Sequence, residues 1–161
     1  MKRIVEVRGI KLGEGAPKVC VPLTGRTREE LIDEAELLQS IDLDFAEWRV
    51  DFFEAADSLE DVLVMLAELR DRLGGIPLIF TFRSAREGGQ RELPLPEYVR
   101  MNREAAASGH ADLIDIELFT GEDTVREFVG DIRSESERLQ RITEELLRLT
   151  KLDGEPRERG S

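Results

Sequence analysis

Three short runs of this chain place ionisable side chains at alternate positions. In Glu47-Trp48-Arg49-Val50-Asp51-Phe52-Phe53, a strand puts Glu47, Arg49 and Asp51 on one face and Trp48, Val50 and Phe52 on the other. In Ile79-Phe80-Thr81-Phe82-Arg83, the two phenylalanines oppose Thr81 and Arg83. In Leu113-Ile114-Asp115-Ile116-Glu117-Leu118, Asp115 and Glu117 face away from the aliphatic residues. Acids and bases mixed on one face suit the gripping of a small polar molecule. A divalent metal held by Glu47, Asp51, Asp115 and Glu117 is a weaker reading, because Arg49 and Arg83 would repel a cation, so neither metal nor cofactor is expected. The plain alternative is an ion-pair network filling an interior, where every buried charge needs a partner.

The elements that must position these groups follow from periodicity. Residues 4–7 and 10–12 alternate around Gly9 and predict a small hairpin. Val19–Leu23 is an apolar strand with Pro22 near its end, and Cys20 within it is expected to be a buried small hydrophobe. Thr27 and Glu30 form a capping box for a helix over about 28–40, with Leu31, Ala35 and Leu38 inward. Ser58 caps a second helix, with Leu59, Val62, Leu63, Leu66 and Leu69 inward, which Gly74-Gly75 stops. Strands are expected over 46–52, 77–83 and 112–118. Between the last two, Pro96, Tyr98, Val99, Met101, Asn102, Ala105 and Ala106 suit a third helix, closing at Gly109. Ser84–Gln90 reads as a mobile loop. His110, just before the last strand, is expected on the surface. From Val125 a heptad stripe (Ile132, Leu139, Leu146, with Phe128, Ile142 and Leu149) predicts one long helix from about 122 to 151.

The 161 residues carry a net charge of −12, which argues against nucleic acid or an anionic membrane as partner. Residues 131–161 are near neutral, with eight acids and seven bases, so the negative charge sits in the body of the chain. No apolar run approaches the roughly 20 residues that span a bilayer, and the N-terminus lacks a signal-like core, so a cytoplasmic location is expected. One cysteine excludes an internal disulfide.

Strands alternating with helices predict an α/β fold with a parallel sheet. An open doubly wound sheet would be apolar on both faces. One charged face on three strands instead points to a barrel-type unit, with helices outside and the site inside, toward the strand carboxyl ends. Four main strands make a (βα)4 half of a (βα)8 barrel, preceded by the hairpin.

Residues 4–129 resemble the N-terminal half of the type I 3-dehydroquinate dehydratases. The resemblance rests on Gly13-Glu14-Gly15-Ala16-Pro17-Lys18, Glu47-Trp48-Arg49-Val50-Asp51, the run from Phe80 to Gly89, and the run from Asp115 to Gly121, in order and spacing. It implies a (βα)8 barrel of the shikimate pathway, which dehydrates 3-dehydroquinate to 3-dehydroshikimate through an imine with a lysine, assisted by a histidine base. It also implies that Glu47, Arg49 and Arg83 grip substrate and that Glu87 stands where the family orients its histidine. The segments that would carry the imine lysine and the base are absent, and only Lys2, Lys11, Lys18 and Lys151 are present.

The expectation is therefore a truncated or engineered derivative, inactive alone, with weak affinity for an anionic 3-dehydroquinate-like molecule. Residues 1–129 would form the half-barrel, 130–152 a helix packed on it or on a partner, and 153–161 a disordered tail. Two alternatives stay open: a non-catalytic scaffold or assembly module, including a homodimer through exposed strand edges or the C-terminal helix, and a fragment completed by a second chain.

Overall fold

The computed structural model describes residues 4–126. The heptad stripe beyond Val125 and the expected tail lie outside them. The chain opens with an antiparallel hairpin, β1 (Val5–Val7) and β2 (Ile10–Leu12). Its turn takes positive φ at Arg8 (47°) and Gly9 (82°), the left-handed pair that matches strand twist in two-residue hairpins. Four strands follow: β3 (Cys20–Leu23), β4 (Phe45–Arg49), β5 (Leu78–Thr81) and β6 (Leu113–Asp115). They form one parallel sheet in the order β3-β4-β5-β6.

Helices α1 (Arg28–Leu38), α2 (Leu59–Leu73) and α3 (Leu95–Ala107) connect the strands. Thr27 accepts from the Glu30 amide and Glu30 reaches back to the Thr27 amide, the predicted capping box, a motif whose cap contributes about 1 kcal/mol. Ser58 caps α2 through the Asp61 amide, and Gly74 ends it at φ 57°. All three helices bury their apolar stripes on a single face of the sheet, against Leu23, Ala46, Trp48, Leu78, Phe80 and Ile114. Trp48 anchors this layer through edge contacts with Phe53 and Phe80, both at 5.7 Å between ring centres.

The opposite face divides along its length. At the amino ends of the strands, Phe45, Ile79 and Leu113 pack against Val5, Val7, Ile10 and Leu12 of the hairpin. Toward the carboxyl ends the ionisable residues begin. Register alone separates the two zones: Glu47 pairs with Ile79, and one step on Arg49 pairs with Thr81 and Thr81 with Asp115.

One expectation needs correction at the edge strand. Cys20 is exposed, not buried. Its side chain shares the helix-free face with Pro22 on the outermost strand, so no described element covers it. Backbone pairing through the Val19 carbonyl also turns Pro22 outward, where its missing N–H breaks no ladder bond, and Glu34 accepts the next two amides, Thr24 and Gly25. No helix among the described residues is long and apolar enough to cross a membrane.

Candidate functional site

The strand expected over 46–52 ends at Arg49, and Val50–Phe52 makes one turn of 3-10 helix. This turn swings Asp51 out of the alternation, so it does not stand beside Glu47 and Arg49 on the open face. It is fully buried and accepts the Arg49 guanidinium through both oxygens, each at 2.9 Å. The same carboxylate accepts the backbone amides of Gln90 (3.0 Å) and Arg83 (3.4 Å). The aromatic partition shifts accordingly. Phe53 packs on Trp48, while Phe52 lies half-buried with the Arg49 guanidinium 5.1 Å from its ring centre.

One strand along, the Arg83 guanidinium meets Asp115 at 2.6 Å and Glu117 at 3.1 Å. Glu117 is almost fully buried and also accepts the Ser84 amide at 3.0 Å, and its own amide donates to the Tyr98 hydroxyl at 2.9 Å. Glu117 Oε2 and Ser84 Oγ are buried without a hydrogen-bond partner among the described residues. Glu47 is half-buried and accepts the hydroxyl proton of fully buried Thr81 at 2.8 Å.

The electrostatics follow from these contacts. The hydrogen bond to Asp51 is the main cause that raises the Arg49 pKa. For Arg83, burial acts to lower the pKa, but Asp115, Glu117 and Glu47 together outweigh it and the net shift is upward. Burial pushes the Tyr98 phenol well above its usual value, so it stays a neutral hydrogen-bonding group.

Glu47, Arg49, Arg83, Asp115 and Glu117 thus gather at the carboxyl ends of adjacent strands, four carboxylates against two guanidiniums once Asp51 beneath them is included. Glu87 does not join them. It is exposed on the turn Ala85–Glu87, where its amide donates to the Ser84 carbonyl at 3.0 Å, and its side chain makes no hydrogen bond or ion pair among the described residues. His110 sits half-buried in the loop before β6, its amide donating to Ser108.

The loop that reads as mobile is instead tied down. Gly89 donates to the Ser84 carbonyl at 2.8 Å, Ser84 bridges to Arg91, and Gln90 donates to Asp51. Sequence reasoning missed Ser84, Tyr98 and Gln90 as parts of the site. Tyr98 carries a helix-core signal, which its apolar ring satisfies, and the Gln90 contribution is a backbone amide that no side chain announces. Beside this loop a cleft of about 250 Å³ is lined by Arg26, Asp51, Phe52, Glu54, Gln90 and Arg91, and does not include Glu47 or Arg83.

This geometry has relatives. The 3-dehydroquinate dehydratase of Clostridium botulinum (strain Eklund 17B / Type B) is 51% identical over 129 residues, which cover 80% of this chain and 51% of the relative. That of Syntrophotalea carbinolica is 52% identical over 125 residues, 78% of this chain and 49% of the relative. The chain therefore spans about half the length of the curated relatives it matches. A crystal structure of type I 3-dehydroquinate dehydratase from Clostridium difficile, with covalently modified comenic acid, superposes with a TM-score of 0.80 at 44% identity. It covers 84% of this chain and 53% of that one. The structure of 3-dehydroquinate dehydratase from Geobacillus kaustophilus gives a TM-score of 0.74 at 38% identity, covering 89% and 52%. The family model for type I 3-dehydroquinase matches residues 19–143, beyond Val129, and with that the chain belongs to the type I 3-dehydroquinase family.

Proposed function

We propose that this chain carries the substrate-gripping half of a 3-dehydroquinate site and does not dehydrate that substrate alone. The observation that carries the reading is the convergence of Glu47, Arg49 and Arg83 at the carboxyl ends of neighbouring parallel strands, on the face opposite the helices. Ligand sites of barrel-type α/β units form at that end. Both guanidiniums are already engaged by carboxylates, so the arrangement suits the hydroxyls of the substrate and meets its carboxylate weakly. Residues 1–129 then constitute four βα units of a half-barrel. The helix expected over 130–152 and the tail expected over 153–161 lie outside the described residues.

The family's imine requires a lysine, and among the described residues none stands in this cluster. Lys11 lies on the hairpin and Lys18 precedes β3, while His110 lies toward the amino end of β6, away from the ionisable groups. Glu87, at the position that would orient a histidine, is solvated. The decisive test gives purified chain 3-dehydroquinate, follows the ultraviolet absorbance of the conjugated product, and titrates binding by calorimetry. We expect no turnover above a heat-denatured control, and a weak binding heat that Arg83→Ala abolishes. Turnover would overturn the inactivity; binding indifferent to Arg83→Ala would overturn the site.

A second reading, a non-catalytic assembly module, draws on one observation: Glu47, Arg49 and Arg83 all find partners within the chain, as a structural network would require. Among the described residues the sheet also has two edges, β3 and β6. A second copy, or a chain bearing later strands, would pair there. A monomeric mass in solution excludes the homodimer, and recovery of turnover on adding such a chain identifies the complemented fragment.

A further inference from the structure

The geometry points to Asp51 as a positioning residue that couples the direction of the Arg49 guanidinium to the closed form of the Ser84–Arg91 loop. This deepens the reading of the ionisable face as a ligand grip, and rests on it only where ligand is used in the test. Asp51 is fully buried, and its two oxygens serve four donors from three segments. Oδ1 takes Arg49 Nε at 2.9 Å and the Arg83 amide at 3.4 Å, and Oδ2 takes Arg49 Nη2 at 2.9 Å and the Gln90 amide at 3.0 Å. A two-oxygen fork fixes the guanidinium in plane and direction, which a single contact does not.

The second half of the coupling is the loop. Its ends meet at the Ser84–Arg91 bridge, and it folds tightly enough that Gly89 donates to the Ser84 carbonyl. The Gln90 amide then points inward at the carboxylate that holds Arg49. Shared acceptors make such networks interdependent: moving the guanidinium repolarises and releases the carboxylate on which the loop amide depends. Asn at this position has one acceptor oxygen and one NH₂ donor, so it cannot serve both sides and must abandon either the guanidinium or an amide.

Amide hydrogen exchange and the Arg49 Nε–H resonance, read by NMR on the whole chain, test this. Asp51→Asn is expected to speed Gln90 exchange on the order of tenfold and to release the Arg49 resonance, with Trp48 and Phe80 amides unchanged. Arg49→Met strips the guanidinium from buried Asp51 and so lowers global stability too, but is expected to speed Gln90 exchange beyond that of the core amides, although Arg49 does not touch Gln90. No change in that variant, or equal acceleration of the core amides, would overturn the coupling, whether or not Asp51→Asn folds. Addition of 3-dehydroquinate is expected to slow Gln90 exchange in the unmutated chain. Binding without that change also counts against the coupling. Absence of binding counts against the proposed function alone, because the Arg49→Met arm uses no ligand.

Discussion

The two ends of the parallel sheet hold the same kind of chemistry, buried carboxylates paired with arginines, and use it differently. At the amino end Asp112 is 4% exposed and takes Arg8 Nε at 2.9 and 3.0 Å, Arg70 Nη1 at 2.8 Å and the Leu78 amide at 3.0 Å. Neither oxygen is left over, and the hairpin and its apolar contacts lie alongside. At the carboxyl end the acids outnumber the arginines, Glu117 Oε2 has no partner in the described chain, and the Arg83 and Asp115 side chains remain 26% and 30% exposed. The arginines register the difference. Burial lowers the Arg70 pKa despite Asp112, whereas the surplus carboxylates raise that of Arg83 despite its burial. A cluster that satisfies every atom under an apolar cover holds the fold. One that leaves a buried acceptor unpaired beside partly exposed side chains suits the proposed ligand grip.

The comparison breaks first, and most visibly, at Asp112. Asp112→Ala leaves Arg70 buried without its carboxylate and frees Arg8 from the turn where it holds a positive φ. Losing one partner of a buried pair costs about 3–5 kcal/mol, a large part of a small domain's stability. Urea unfolding is expected to show that loss, with Gln90 exchange under native conditions rising only as far as global opening dictates. A selective effect on Gln90 would mean that the two ends are not separate devices.

Gly89→Ala is the smaller and more local perturbation. A Cβ there would stand 1.9 Å from the Arg83 carbonyl oxygen and 2.5 Å from its carbon, so backbone rather than a flexible side chain has to move. Overpacking of this kind costs about 1–3 kcal/mol, less than Asp112→Ala. The moving loop takes the Gln90 amide away from Asp51, so Gln90 exchange and calorimetric binding of 3-dehydroquinate are expected to suffer more than stability does. Equal damage to stability and loop would make the carboxyl end another fold-holding cluster.

Local signals account for most of what the sequence foretold. Thr27 with Glu30, Ser58 and Gly74 set helix ends within one turn of the chain, and alternation placed Glu47, Arg49 and Arg83 on one face. What escaped depends on distance. Asp112 and Arg8 lie 104 positions apart, so nothing near either residue announces their pairing. Asp51 fits a strand alternation as well as a 3-10 turn, and the turn prevails because one buried carboxylate there serves donors from three segments. Ser84–Gln90, rich in glycine and charge, reads as loose because backbone hydrogen bonds leave no trace in side-chain composition. Cys20 misled for the opposite reason. Val19-Cys20-Val21 is apolar enough for a core strand, but order in the sheet, not composition, decides which strand is outermost.

That edge cysteine gives the mildest test of the comparison, because it reports on the helix-free face without disturbing it. Cys20 is exposed, yet partial burial against that face, and then the nearby charge of Glu47, push its thiol up to about 11 from 9.0. The sign is that of an acid held in its neutral form. Any stability it lends is present below the unfolded value near 9 and is lost as pH rises toward 11. The rate of alkylation by iodoacetamide is therefore expected to rise with a midpoint near 11 in the folded chain and near 9 in urea. Glu47→Gln removes the second cause and is expected to lower the folded midpoint modestly, leaving the part that burial sets. A midpoint indifferent to Glu47 would place that carboxylate's field elsewhere, toward Arg49 and Arg83 alone, and would confine the charged surface to the carboxyl end of the sheet.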